Sequence, residues 1–353
     1  MHLDEQIVRL KDASHNRPLD RREFMRALTI ASGAGPGLIA ASLSGFALTR
    51  SQRAEAAEAI VGGLGKLPKV RLGTRMGNMM VTPLCIASDW NGDLYGPALD
   101  LGINFIHKAG YWGNVPDEVK KLPRESYYTD ITVDNTPSRP DDYDRAYNQV
   151  ASSLEKNGLK YYDIFRAHFG WRGTEAFNKG DNASYKAFLK LKKEGKCKYF
   201  GVSQHPYAKT VRADGRVDYP ERIEKYAEMI DAEIESGFID SMQVWFSYGY
   251  PKEVEAVFAK ASKAGIGMTA MKIYAHGGNK MRNEPAKMAE LKADGMPGRA
   301  AIRYVMTAAK RPDGKNIFHT CVSALSNQTI FEENVGGVSA KVALRDGFEL
   351  LAG

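Results

Sequence analysis

Cysteine is scarce: the 353 residues include three, Cys85, Cys197 and Cys321, far apart and without a CxxC pair. No ligand set for zinc or an iron-sulfur cluster can be assembled from them, so no metal is expected, and buried single thiols are the simpler reading. Arginine-rich tracts are absent too. The net charge of +7 is modest for this length and the basic residues are spread between helices, which argues against nucleic acid as a partner. Neither an internal repeat nor a glycine-rich dinucleotide fingerprint occurs.

What is present falls into two parts. Residues 1–57 do not read as a folded core. Asp20-Arg21-Arg22-Glu23-Phe24-Met25-Arg26 precedes a mildly apolar run, Ala27 to Leu48, rich in Ala, Gly and Ser and broken by Pro36. Two adjacent arginines, an aromatic residue two places on and a weakly hydrophobic span resemble a twin-arginine export signal. The resemblance implies the export machinery as a partner and a periplasmic or otherwise exported location, reached in the folded state. Ala54-Glu55-Ala56 has the small-x-small form of a cleavage site. The glycines, serines and Pro36 lower the hydrophobicity of the run, so stable membrane insertion is not expected once the signal is cleaved.

From Val70 the chain alternates short apolar strands with helical patterns. Strands are expected at Val81–Ala87, Ile103–Ile106, Ser126–Val133, Leu159–His168, Tyr199–Gln204, Asp240–Phe246, Met268–Lys272 and Phe318–Ser323. Helices are expected at Asp141–Lys156, closed by Gly158, and at Arg222–Ser236, Val254–Ala264, Ala300–Ala308 and Ser326–Asn334. Eight strands separated by crossovers predict an α/β fold, a single (β/α)8 TIM barrel over 70–353, with chemistry at the C-terminal strand ends.

The stretch Gly102-Ile-Asn-Phe-Ile-His-Lys-Ala-Gly-Tyr-Trp-Gly113 carries a family resemblance. It is similar to the second strand and loop of the aldo/keto reductases, Gly-hydrophobic-Asn-hydrophobic-hydrophobic-Asp-Thr-Ala-x-x-Tyr-Gly. Further matches are Asp163 and His168 on the fourth strand, Gly201-Val202-Ser203 with Gln204 in place of Asn, Gln243, Arg303-Tyr304-Val305 and Asn334. The resemblance implies hydride transfer between NAD(P)H and a small carbonyl or alcohol substrate. In that family a Tyr donates the proton, a Lys and an Asp tune it, and a His orients the carbonyl.

Of those four only His168 stands unchanged. His107 takes the Asp place, Trp112 the Tyr place with Tyr111 one residue early, and Thr132 the Lys place. Three readings are open: Tyr111 supplies the acid with His107 tuning it; His107 and His168 act without a tyrosine; or the barrel keeps its pocket as a binding protein without turnover. Tyr111 and Trp112 can equally form an aromatic wall of the substrate pocket. Lys108 should point away from His107 because side chains alternate along a strand.

The resemblance also implies the cofactor positions. Ser203 and Gln204 would bond the nicotinamide carboxamide, Gln243 would lie beside the ring, and Phe246 or Tyr248 would stack on it. Backbone amides from Ser326 onward, at a helix N-terminus, would take phosphate, with Asn334 further along that helix. The cofactor is NADP or NAD. Family habit favours NADP, though no basic residue for a 2′-phosphate is visible around Ile330.

Overall fold

The described part of the chain opens with a small plug. In this computed structural model, β1 (Val70–Arg71) pairs antiparallel with β2 (Met80–Val81). The structure describes residues 66–87, 92–110, 113–134, 142–168, 182–206, 222–274, 295–322 and 328–339, with short pieces between 210 and 218 and between 281 and 293. The export segment, Tyr111, Trp112 and Ser326 lie outside the described residues.

Strands and helices then alternate. In order they are β3 (Leu84–Ala87), α1 (Tyr95–Asp100), β4 (Phe105–Gly110), α2 (Asp117–Lys120), β5 (Tyr128–Asp134) and α3 (Tyr143–Asn157). Next come β6 (Tyr162–His168), α4 (Ala183–Lys193), β7 (Cys197–Gln204) and a small antiparallel pair, β8 (Thr210–Val211) with β9 (Val217–Asp218). The chain continues through α5 (Ile223–Ser236), β10 (Ser241–Trp245), α6 (Lys252–Lys263), β11 (Gly267–Met271) and α7 (Pro285–Glu290). It ends with α8 (Pro297–Arg303), β12 (Thr320–Val322) and α9 (Gln328–Val338).

Strands β3, β4, β5, β6, β7, β10, β11 and β12 close into a barrel in that order, each pair parallel. This is the expected (β/α)8 architecture. The expected first strand divides in two: Val81 stays with the plug, and the barrel strand starts at Leu84 after Pro83, which has no N–H to give a ladder. The expected helix at Ala300–Ala308 begins earlier, at Pro297, and its last five residues, Tyr304–Ala308, widen into a π turn.

Local chemistry fixes the helix ends. Asp142 accepts from Arg145 N–H at 2.7 Å at the start of α3, and Gly158 at φ 64° ends it. Ala146, Val150 and Leu154, four residues apart, put one face of α3 against the strands.

At the N-terminal end of the barrel, Leu72, Met76, Met79 and Val81 from the plug pack on Cys85, Phe105 and Ile164. Gly73 permits the seal, since at φ 67° an added Cβ would lie 2.6 Å from Gly265 O. Arg75 rivets the plug, donating to Ala264 O, Gly237 O and Ile239 O at the ends of α6 and α5. With that end shut, the lumen among the described residues opens at the strand C-termini.

Candidate active site

Residues paired in register on parallel strands face the same side, so Thr132 with Arg166, and His168 with Ser203 and Gln243, share lumen layers. The lumen is apolar below and polar above. Asp130, on β5, accepts from His107 Nδ1–H at 2.9 Å and from Arg166 Nε–H at 2.8 Å, all three side chains being buried. Arg166 also donates to Val202 O at 3.2 Å. Burial works to raise the Asp130 carboxyl, but His107 and Arg166 outweigh it and hold it below the usual carboxylate range. Asp130 is therefore an anion, and the proton in this bond belongs to Nδ1 of His107.

The other ring nitrogen of His107 reaches across the lumen. Its Nε2 lies 3.1 Å from Gln243 Nε2, and β4 and β10 stand four strands apart in the eight-stranded ring. A neutral imidazole accepts from the Gln243 amide NH2; an imidazolium donates to the same amide turned over. The contact accommodates both protonation states.

His168, at the C-terminal end of β6, is buried, with its ring centroid 5.3 Å from that of His205. His205 is pushed down to about 3 by burial, by His168 and by Lys272. It is a neutral neighbour at ordinary pH. The Thr132 hydroxyl, at the lysine's place, is buried without a hydrogen-bond partner. Lys108 points outward, donating to Tyr95 OH at 2.7 Å, as strand alternation requires.

Two of the cofactor positions gather in the lumen. Ser203 and Gln243 are register partners, Ser203 Oγ meeting only the Met271 sulfur, at 3.9 Å, among the described residues, and Gln243 Oε1 buried without a hydrogen-bond partner. Two others need correction. Gln204 is the outward neighbour of Ser203: its amide donates to Glu233 of α5, a carboxyl that burial raises well above its ordinary range. Phe246 likewise lies behind the barrel wall, stacked on Phe318 at 4.9 Å and edge-on to Phe258 at 5.7 Å, where no ring in the lumen can reach it. Tyr248 bonds to Glu284 and packs edge-on to Tyr304. Asn334, on α9, is buried and accepts from Tyr274 OH, which ties the last helix to the loop after β11.

Asp130 and Arg166 are not among the candidates that the sequence offers. Their signal is parity: each sits two residues before an expected lumen position, Thr132 and His168 respectively. Among the described residues no group of three metal-ligating side chains converges.

The sequence pattern of the aldo/keto reductase family matches residues 93–311. The chain belongs to that family. A protein from Pseudomonas aeruginosa assigned to the aldo/keto reductases has a similar structure, with 17% identity, a TM-score of 0.54, and coverage of 77% of this chain and 94% of that one. An aldo/keto reductase from Brucella melitensis is 19% identical over 76% of this chain and 92% of its own, with a TM-score of 0.49. The first likeness is one of fold. No curated protein matches the sequence. Family membership makes the chain one of a group of oxidoreductases that use a nicotinamide cofactor.

Proposed function

We propose that this aldo/keto reductase moves hydride between NAD(P)H and a small carbonyl or alcohol substrate with histidines at the positions where its family places an aspartate and a histidine. The observation that carries the reading is His107, fixed at Nδ1 by the Asp130 carboxylate and presenting Nε2 to the lumen opposite Gln243. A ring held this way can hold a proton at Nε2 and release it without turning, because Asp130 and Arg166 keep it in place. His168, two residues above Arg166, is suited to orient a carbonyl oxygen.

The residues fit the cofactor. A carboxamide needs one acceptor and one donor, and Gln243 Oε1 and Ser203 Oγ–H have no strong partner of their own. These two would hold the nicotinamide, which when bound supplies or takes the hydride. Phosphate would be taken by amides near the start of α9.

A second reading, a barrel that binds its nucleotide without turnover, is favoured by Thr132, which leaves the lysine's place without a charge. Titration with NADPH and with NADH, followed by nicotinamide fluorescence, tests the nucleotide site in the parent protein and in Gln243→Ala. Tight binding weakened by the change supports the site. Binding no better than about millimolar, roughly 4 kcal/mol, defeats the oxidoreductase reading. With binding established, NADPH oxidation over a panel of aldehydes and ketones separates the two readings.

The Arg21-Arg22 pattern supports a further part of the proposal, that the enzyme is exported folded by the twin-arginine machinery. A nucleotide loaded in the cytoplasm must then leave slowly, so the dissociation rate matters as much as the affinity.

A further inference from the structure

A second concavity lies at the opposite end of the barrel from His107. It has a volume of about 370 Å³ and is bounded by β1, the turn between α6 and β11, and the loop that leads into β12. Four of its lining residues, Arg71, Lys263, Arg311 and Lys315, are cations, and none is a carboxylate. Such a grouping repels itself unless an anion lies among it. Part of that charge is answered outside the cavity, where Asp313 accepts from Arg311 Nη2–H. Lys263 and Lys315 are exposed and form no ion pair among the described residues.

Uncharged donors join the cations. Ser262 lines the cavity with a side chain that is 3% exposed, and its buried hydroxyl has no hydrogen-bond partner. Nε of Arg311 is likewise buried and unpartnered. The Met268 N–H donates to His319 Nδ1 at 3.0 Å, which forces the proton of that neutral ring onto Nε2. His319, held down to about 4 by burial, is thus a donor rather than a fifth cation. Orphan donors with no matching acceptors cost free energy, and an oxygen-rich anion would satisfy them.

The walls are already set. His319 N–H donates to Met268 O at 3.0 Å, Arg311 N–H to Lys315 O at 2.8 Å, and Arg75 N–H to Gly265 O at 3.0 Å. A site held by backbone bonds loses little freedom when it binds. Phe318 adds an apolar wall, which suits an organic group on the anion.

We propose that this cavity is a second ligand site, at the N-terminal face of the barrel, for a small phosphate monoester. Arg311 and the two lysines take the phosphate oxygens, Ser262 and His319 donate to the remaining oxygens, and the organic part lies along Phe318. The site is separate from the nucleotide-binding lumen, which the plug closes off from below.

The test uses the full chain in low-salt, phosphate-free buffer with excess NADH, which fills phosphate positions at the catalytic mouth and carries no phosphate monoester of its own. Ribose 5-phosphate is titrated calorimetrically, with ribose as the control. One equivalent should bind with Kd near 0.1 mM, about −5.5 kcal/mol. Lys263→Glu with Lys315→Glu should weaken it roughly tenfold or more, while Lys263→Arg with Lys315→Arg should retain it. Both lysines are exposed and unpaired, and thermal unfolding of each double variant checks that the fold is kept. Absence of binding at about 10 mM, equal binding of ribose, or an affinity unchanged by the two glutamates would overturn the proposal.

Discussion

His107 and Gln243 face each other from opposite walls of the barrel and meet at 3.1 Å, so that one imidazole and one amide span the lumen. Beneath them the Asp130–Arg166 pair, with no exposure to solvent, fixes the imidazole. The electrostatics of the site follow from these four side chains.

Asp130→Ala should be strongly destabilising. It leaves the Arg166 guanidinium buried without its counter-ion, a loss of about 3–5 kcal/mol. Urea unfolding checks this. The double change Asp130→Leu, Arg166→Met should recover most of the loss, since it removes both charges, but it should lose turnover because His107 is no longer held.

His168→Gln keeps a hydrogen-bonding side chain and removes the imidazole. If His168 orients the reacting carbonyl, kcat for NADPH oxidation should fall about 10²- to 10⁴-fold while NADPH binding is unchanged. An unaltered kcat would exclude His168 from the chemistry.

A buried histidine, His205, and a half-buried one, His319, set the acid limb of stability. In the folded protein burial lowers His205 to about 3 and His319 to about 4, below the ordinary value of 6.5. The unfolded chain therefore binds more protons, and stability falls as pH drops from about 6.5 toward these folded values. Asp130 acts lower still: its depressed carboxyl stabilises the fold above the ordinary carboxylate range, and that contribution is lost as pH falls through its folded value. Urea midpoints between pH 7 and 5 should decline, and His205→Gln should remove about half of the slope.

Gly73→Ala should cost at least ~2 kcal/mol, because the position is left-handed and the new methyl meets backbone that cannot give way. Thermal unfolding measures it.

For export, replacing Arg21 and Arg22 by lysine should hold the protein in the cytoplasm. Fractionation of cells carrying each form decides this, and unchanged localisation excludes the twin-arginine route.

The barrel was legible because most strands are short, largely apolar runs and the longer helices carry start or stop signals, as at Asp142 and Gly158. Its bounds slipped where Pro83 cuts a continuous apolar run. At the site, the positions of His107, His168, Ser203 and Gln243 follow from the resemblance to the aldo/keto reductase pattern at the strand ends. Gln204 departs from its expected place because the alternation that turns Lys108 outward turns it too: if Ser203 faces the lumen, its neighbour cannot. Phe246 stands just beyond the last residue of β10, where parity no longer constrains it, and the aromatic layer behind the strands claims it. Asp130 and Arg166 are not legible in the sequence, because a charge within a strand declares itself only when its partner on the adjacent strand is known.

The span from His107 to Gln243 also constrains how the chain folds. Asp130 and Arg166 belong to consecutive strands, so their pairing with His107 can form within the first half of the barrel, whereas Gln243 lies 136 residues beyond His107. A half-barrel ending at β7 would hold the ion pair but leave Nε2 of His107 in water, and only the arrival of β10 replaces that water by an amide. The chemical shift of this nitrogen should thus report ring closure during refolding, separately from collapse of the first strands.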